Sequence, residues 1–258
     1  MSEPTTEGRR GKPLTMLTVL GSRWLNPTMV RVTFSAPDFT PNGFTDAYVK
    51  LLFDERGPIL DDIPERPTTR TYTVRRFDPV TRELDLDFVV HGDEGLAAPW
   101  ATACSPGDRV IARGPGGKWA PSPDADWHLF VGDESAIPAI EAGLAALPVA
   151  ARGLALIEVG EHTVELQAPE GVEVRWLVRG DAPYREERLA EEVRSLPWGD
   201  LGDVDVFAHG ERGAMKSLRA VFRKHAVAAD RLSISGYWAL GRKEDEFQAE
   251  KRTDLGRI

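Results

Sequence analysis

The segment Arg70–Arg75, Arg-Thr-Tyr-Thr-Val-Arg, carries side chains that could hold a planar, phosphorylated ligand. Alternation along an extended strand places Arg70 and Tyr72 on one face and Thr73 on the other. An aromatic ring offers a surface to a planar group, a hydroxyl can bond its polar edge, and an arginine can balance phosphate charge. The pattern indicates a cofactor site, although an ordinary barrel strand with exposed arginines fits the same six residues.

A second candidate site lies where glycines interrupt a hydrophobic strand. Phe88–Val90 is followed by His91–Gly95 and then by a run of small residues that predicts the start of a short helix. Backbone amides without intrahelical partners at such a start suit a pyrophosphate. A glycine turn with Trp100 as a core anchor is the alternative interpretation.

Two further turns each join a hydrophobic strand directly to a helix. Leu129–Val131 ends at Gly132, and Val206–Ala208 is followed by His209 and Gly210. Ligands of open α/β sheets bind at such carboxyl strand ends. The pair of turns therefore predicts a nucleotide site, although no Gly-x-Gly-x-x-Gly fingerprint is present and acidic residues after Gly132 could simply favour the helix start.

Two kinds of secondary structure are expected along the chain. Short alternating runs separated by Pro, Gly and Asp predict an antiparallel β-barrel over residues 14–120. Strands then alternate with helices, which predicts an α/β domain with a parallel sheet over residues 125–241. Residues 1–13 are expected to be flexible, and the charged tail 242–258 is expected to form a helix.

Composition argues against several classes of function. A net charge of −9 disfavours nucleic acid as a partner. No run of 18 apolar residues occurs and the first thirteen residues lack the apolar core of a signal peptide, so we expect a cytoplasmic protein without a membrane partner. A single cysteine, Cys104, and five histidines without close metal-ligand spacing indicate no metal site, and no nucleophile elbow favours a hydrolase.

Taken in order, these segments and Gly236-Tyr237-Trp238 resemble the siderophore-interacting protein family of FAD-dependent ferric-siderophore reductases. That family lies within the ferredoxin-NADP reductase superfamily, and the likeness covers roughly residues 14–243. The resemblance implies an FAD-binding barrel domain followed by a domain that binds NADH or NADPH. Leu96 stands where the family usually has proline, and His209 stands where a small residue is common.

The resemblance also implies which residues contact cofactors and substrate. The cofactor positions are Arg70, Thr71, Tyr72, Thr73, Asp87, Val89, His91, Gly95, Ala97, Ala98, Trp100, Ala101, Asp133, Glu134, Ser135, Ala136, Gly210, Glu211 and Trp238. A basic cluster near the flavin receives the anionic ferric siderophore in this family, and Lys50, Arg242 and Lys243 are its candidates here. Solvated surface charge is the alternative role for these three residues.

The implied activity is reduction of a ferric siderophore, with electrons passing from NAD(P)H, or from a ferredoxin, through FAD to Fe(III). A monomer is expected. Two alternatives stay open: a flavin or ferredoxin-type reductase with another acceptor, and a siderophore-binding protein without redox activity. The paired strand-to-helix turns argue against the second, since a simple binder has no need of a nucleotide domain.

Overall fold

The N-terminal half of the computed structural model, which describes residues 12–90, 95–251 and 253–258, is a barrel. Its elements are β1 (Leu14–Asn26), β2 (Met29–Ser35), β3 (Tyr48–Asp54), β4 (Gly57–Pro58), β5 (Thr68–Asp78), β6 (Glu83–Val89), α1 (Ala97–Ala103) and β7 (Arg109–Gly116). The strand order is β4-β3-β5-β6-β2-β1-β7, and β3 also pairs with β7, which closes six strands into a ring. All of these pairings are antiparallel.

Aromatic side chains fill the barrel interior and fix α1 against it. Phe34, Phe53 and Phe88 are fully buried. Their ring centroids lie 6.2, 6.1 and 6.3 Å from that of Trp100 in α1. Such aromatic pairs add to the stability gained by burial alone, so Trp100 anchors α1 to the barrel core.

The C-terminal half is a parallel sheet with helices. Its elements are β8 (Trp127–Asp133), α2 (Ile137–Ala146), β9 (Gly153–Val159), β10 (Val172–Val178), α3 (Arg188–Arg194), β11 (Val204–Glu211), α4 (Arg212–Lys224), β12 (Leu232–Trp238) and α5 (Glu244–Glu250). The strand order is β10-β9-β8-β11-β12. Every residue of β9 and β11 is buried, as expected for strands covered on both faces. The order reverses between β8 and β11, where open α/β sheets bind ligands.

The predicted fold class, an antiparallel barrel followed by an α/β parallel sheet, is confirmed. The helix expected directly after Gly132 begins instead with a 3-10 turn, Glu134–Ala136, and continues as α2. Pro138 occupies the first turn of α2, where its missing N–H leaves no intrahelical bond unmade. None of the helices in the described ranges is long and apolar enough to cross a membrane.

Apolar packing joins the two halves. Met29 from the barrel is 1% exposed and belongs to the same buried cluster as Ile137 and Ile140 of α2. Nearby, Asn26 Nδ2 donates a hydrogen bond to the carbonyl of Thr163 at 3.3 Å. The barrel and the parallel-sheet half are therefore held together by direct packing and by a hydrogen bond.

Candidate functional site

A cleft of about 1010 Å³ lies between the barrel and the parallel sheet. Four successive residues of β5, Arg70 to Thr73, line it on the barrel side. Ser135, which follows β8, and Trp238, which ends β12, line it on the sheet side. Ligand pockets typically enclose about 300–1,000 Å³, so this cleft has room for a dinucleotide.

The pairing of β5 with β3 decides where its side chains point. Tyr72 pairs with Val49, which is buried in the barrel, and the Tyr72 ring lies 4.2 Å from the Phe88 ring, centroid to centroid. Thr71 pairs with Lys50, so these two side chains share the opposite face. Burial raises the pKa of Tyr72, which keeps the phenol protonated. The barrel core thus supports the Tyr72 ring from behind.

The guanidinium of Arg70 binds the C-terminal tail. Its Nη1 donates to the Thr69 carbonyl and to Asp245 Oδ1, each at 3.0 Å. The Asp245 side chain is 75% exposed, and exposed ion pairs contribute only about 0–1 kcal/mol. A phosphate group could therefore replace Asp245 at this guanidinium at small cost.

Asp133 connects the ends of three strands. Its Oδ1 accepts a hydrogen bond from the Ser135 amide at 2.9 Å, and its Oδ2 accepts from the Glu211 amide at 2.7 Å and from Trp238 Nε1 at 2.9 Å. Burial raises the pKa of Asp133, and these donors oppose the rise. Gly210, with φ +155°, passes so close that a Cβ would lie 2.6 Å from Asp133 Oδ2. A glycine is therefore required beside this carboxylate.

Glu211 caps α4 rather than facing the cleft. Its Oε2 accepts from the Ala214 amide at 2.9 Å and its Oε1 from the Leu240 amide at 3.1 Å. A carboxylate at a helix start satisfies amide donors and suits the helix dipole. Neither Gly210 nor Glu211 is among the described residues that line the cleft, and both lie against Asp133, which does line it. The direct cofactor contacts expected at these two positions stay predictions.

The remaining predicted cofactor residues fall into two groups. Those that line the cleft are Arg70, Thr71, Tyr72, Thr73, Asp87, Val89, Asp133, Glu134, Ser135 and Trp238. Those away from its described lining are Gly95, Ala97, Ala98, Trp100, Ala101 and Ala136. Ala97, Ala101 and Ala136 are at most 2% exposed, so their side chains face a core and cannot touch a ligand. His91 lies outside the described residues.

The three predicted substrate residues are separated by the fold. Lys50 lines the cleft. Arg242 instead donates to Glu250 Oε1 at 2.7 Å, and Lys243 is the N-cap of α5, its amide donating to Glu246 at 3.1 Å. The Arg242 guanidinium is therefore paired within the tail, whereas the Lys243 side chain is exposed. Neither residue is among the described residues that line the cleft.

Three lysines that the sequence analysis missed line the cleft together with Lys50: Lys12, Lys118 and Lys251. None of the four forms a salt bridge with residues 12–90, 95–251 or 253–258. Burial lowers the pKa of Lys251, Glu244 opposes this, and the positive charge of Lys50 adds to it. The four come from distant segments without a shared motif, so only folding brings this positive charge together.

Two tyrosines of the cleft were also missed. Tyr184 donates to Glu211 Oε2 at 3.4 Å, and its ring lies 6.0 Å from that of Trp238. Tyr237 lies in the quoted Gly-Tyr-Trp segment, whereas Tyr184 stands in a polar loop with no recognisable pattern. Burial raises the pKa of both phenols, so each presents a neutral aromatic surface.

His209, the departure noted in the sequence, is a buried neutral imidazole. It stacks on Phe207 at 3.9 Å and contacts the Tyr237 ring edge-on at 5.0 Å. Its Nε2 shares a hydrogen bond with Ser233 Oγ at 2.9 Å, while its buried Nδ1 has no partner among the described residues. Burial lowers the pKa of His209 to about 3, and Lys251 and Lys118 add to this shift.

This shift predicts a pH dependence of stability. The unfolded chain, with a histidine pKa of about 6.5, binds more protons than the folded one between that value and about 3. The free energy of unfolding should therefore decrease as the pH is lowered through this window, by about 2 kcal/mol between pH 7 and pH 5. Urea unfolding at both pH values should show this loss in the wild type and not in His209→Ala. The variant His162→Ala, at a partly exposed histidine, should keep this loss, and equal losses in both variants would contradict the assignment.

The residues of the cleft fit FAD. Tyr72 offers a supported aromatic surface, Thr73 a hydroxyl, and Arg70 a guanidinium whose carboxylate partner is exposed. Lys12 and Lys118 add positive charge for the two phosphates. The planar ring of FAD, the polar edge of that ring and the two phosphates would each have a matching partner among these residues.

The barrel, the parallel sheet and the cleft they share define the fold of a ferredoxin-NADP⁺ reductase. The Plasmodium falciparum ferredoxin-NADP⁺ reductase matches with a TM-score of 0.64 and 10% identity, covering 86% of this chain and 95% of that one. At the level of family, this chain belongs to the siderophore-interacting proteins. The family model described as siderophore-interacting protein matches residues 125–241, and the siderophore-interacting FAD-binding domain matches residues 18–119.

Individual relatives agree with this membership. An uncharacterized protein of Mycobacterium tuberculosis is 42% identical, covering 94% of this chain and 96% of the relative. The NADPH-dependent ferric-chelate reductase of Escherichia coli is 30% identical over 78% of this chain and 82% of its own. The siderophore-interacting protein SipS of Aeromonas hydrophila is 30% identical, with a TM-score of 0.80, covering 93% and 97% of the two chains. The predicted family and the FAD cofactor are confirmed.

Proposed function

We propose that this chain is a ferric-siderophore reductase that uses FAD and takes its electrons from NAD(P)H. The observation that carries the proposal is the shared cleft, in which Tyr72 on the barrel side and Ser135 and Trp238 on the sheet side border one space. Bound FAD would supply the redox chemistry that links hydride donation by NAD(P)H to the one-electron reduction of two Fe(III) ions, and Arg70, Tyr72 and Thr73 would hold it. A relative named as an NADPH-dependent ferric-chelate reductase supports the same reaction.

Each part of the chain has a distinct proposed task. Residues 14–120 hold FAD, and residues 125–241 hold the nicotinamide cofactor, beside Asp133 to Ser135. The tail 242–258 lies against β5 through Asp245 and Arg70. We further propose a cytoplasmic monomer, with a ferredoxin as the alternative electron donor.

We propose that positively charged side chains of the cleft bind the electron acceptor, the ferric siderophore. Lys50 and Lys251 line the cleft, in a protein whose net charge is −9, and the positive charge of Lys50 acts on Lys251. Locally concentrated cations attract an anion even when the whole molecule is acidic. An anionic ferric catecholate or hydroxamate complex suits this site, whereas a cationic chelate does not.

The function is tested by reconstituting the purified protein with FAD and mixing it anaerobically with NADH or NADPH. Bleaching of the flavin absorbance, followed by its recovery on addition of a ferric siderophore and capture of Fe(II) by a chromogenic chelator, is the expected result. Recovery with a ferredoxin but not with any ferric chelate would favour the ferredoxin-type reductase. Tight chelate binding without nucleotide oxidation would overturn the enzymatic proposal.

Replacing Lys50 by glutamine should weaken acceptor binding without affecting the flavin. A hydrogen bond to a charged group contributes about 1.5–3 kcal/mol, so KM for an anionic ferric siderophore should rise at least about tenfold. Steady-state Fe(II) release measures KM, and flavin absorbance measures FAD content. Lys224→Gln, an exposed lysine at the end of α4, is the matched control. Equal loss of FAD and of chelate reduction would show that Lys50 is structural.

A further inference from the structure

A buried ion cluster crosses from the barrel to the parallel-sheet half. Arg31 of β2 donates through Nε to Asp87 Oδ1 at 2.6 Å and through Nη2 to Asp87 Oδ2 at 2.7 Å. The same Nη2 donates to Glu141 Oε2 at 3.0 Å, and Arg75 of β5 donates to the other oxygen of Glu141. Glu141 belongs to α2, whereas its two partners belong to the barrel. This carboxylate therefore bridges the two halves.

The cluster is complete only when all four residues are present. The side chains of Arg31, Asp87 and Glu141 are 7%, 0% and 13% exposed. Although burial opposes it, the guanidinium of Arg75 and then that of Arg31 lower the pKa of Glu141. Two guanidiniums balance two carboxylates, and removing one partner would leave a buried charge without compensation.

The elements on both sides of this bridge lead to residues that line the cleft. Arg75 follows Thr73 by two residues on β5, and Asp87 itself lines the cleft. On the other side, Glu141 lies one turn into α2, and α2 continues directly from the turn that begins at Asp133. The bridge thus connects the strand proposed to hold the flavin with the turn proposed to hold the nicotinamide.

We propose that Glu141 is a positioning residue. It sets the separation between β5, where the flavin is proposed to bind, and the turn that begins at Asp133, where the nicotinamide is proposed to bind. This inference rests on the proposed function. Glu141 does not line the cleft within the described residues, so it acts through α2 and not by touching a cofactor. Transfer between two bound rings depends steeply on their geometry, and a displacement of about 1 Å can slow a reaction roughly a hundredfold.

The first experiment separates positioning from binding. In Glu141→Gln we expect unchanged FAD content and a Kd for the nicotinamide cofactor within about twofold of wild type. The single-turnover rate of flavin reduction should nevertheless fall roughly tenfold to a hundredfold. The long-wavelength absorbance of a stacked nicotinamide–flavin pair should weaken in parallel. The matched control is Glu191→Gln on α3, whose partner Arg185 is exposed.

A second readout does not depend on activity. If Glu141 couples the halves, FAD release on heating and loss of helical circular dichroism should coincide in the wild type and separate in Glu141→Gln. Arg75→Gln should add little to Glu141→Gln, because both remove the same interaction. Glu141→Asp keeps the charge with a shorter reach, and it provides a folded variant if the glutamine variant does not fold.

The outcomes discriminate between the two proposals. Wild-type reduction rate and unchanged stacking absorbance in Glu141→Gln, with a wild type that is reduced by NADH or NADPH, would overturn the positioning role alone. A wild type that neither cofactor reduces would overturn the proposed function. In that case the heating experiment still decides the bridge, because transitions that remain coincident in both Glu141 variants would overturn it.

Discussion

Purified Tyr72→Ala protein should be folded but almost colourless, with its Kd for FAD raised roughly thirtyfold to a hundredfold. The ring is supported by Phe88 at 4.2 Å and lines the cleft next to Thr73. Loss of a stacked aromatic surface removes its burial energy and the additional stacking term, together about 2–3 kcal/mol. Titration of the FAD-free protein with FAD, followed by quenching of flavin fluorescence, measures the change.

Two variants make this result interpretable. Tyr72→Phe keeps the ring and removes a phenol that stays protonated because of its raised pKa, so its Kd should remain close to wild type. Trp24→Ala removes an aromatic side chain that is 53% exposed on β1, and it should retain FAD. A normal Kd in Tyr72→Ala, with an unchanged circular dichroism spectrum, would place the flavin away from this wall.

The predicted alternation of side chains along β5 is confirmed, because its physical basis is local. Alternation along one strand fixes which side chains share a face, and Tyr72 and Thr71 do lie on opposite faces. The same reasoning could not assign Asp133, because its partners Glu211 and Trp238 arrive from strands about 80 and 100 residues later. Local pattern identifies elements of the cleft, while their hydrogen-bond partners depend on sheet order.

The α1 prediction shows the opposite case. The small residues after Gly95 suggest amides exposed to a phosphate, yet Ala97 and Ala101 are buried and Trp100 packs among barrel phenylalanines. These side chains fit the alternative stated for the segment, a turn anchored by Trp100, and the phosphate contact of its backbone amides stays a prediction. Which face of a short helix meets the core is decided by tertiary packing, which a seven-residue run is too short to reveal.

Charge was the least predictable feature of the cleft. Arg242 stands close to the Gly-Tyr-Trp segment in sequence, but its guanidinium pairs with Glu250, the last residue of α5. Lys251, on the same tail, instead lines the cleft near Lys50. Long flexible side chains pair with whatever the fold places within reach, so sequence proximity to a motif is a poor guide to a substrate-binding charge.

Replacing Asp133 by alanine should lower both stability and nucleotide binding. The Glu211 amide and Trp238 Nε1 would lose their acceptor inside the protein, and unsatisfied buried donors cost about 1–3 kcal/mol each. We expect a loss of about 3–5 kcal/mol in the free energy of unfolding, or roughly 10 °C in Tm. Urea and thermal unfolding of the FAD-free protein measure it. Asp230→Asn, an exposed aspartate, should change neither quantity.

The effect of Asp133→Asn on binding should be selective. Asparagine keeps the shape, but one oxygen becomes an amide donor that meets another donor, either near Ser135 or near Trp238. The three strand ends should then separate, raising KM for NAD(P)H at least about tenfold. The Kd for FAD should change little, because Arg70 and Tyr72 belong to the barrel and do not depend on the hydrogen bonds of Asp133. Parallel loss of affinity for FAD and for NAD(P)H would mean that Asp133 and its hydrogen-bond partners support the whole cleft. An unchanged KM for NAD(P)H would mean that the three strand ends are not part of the nucleotide site.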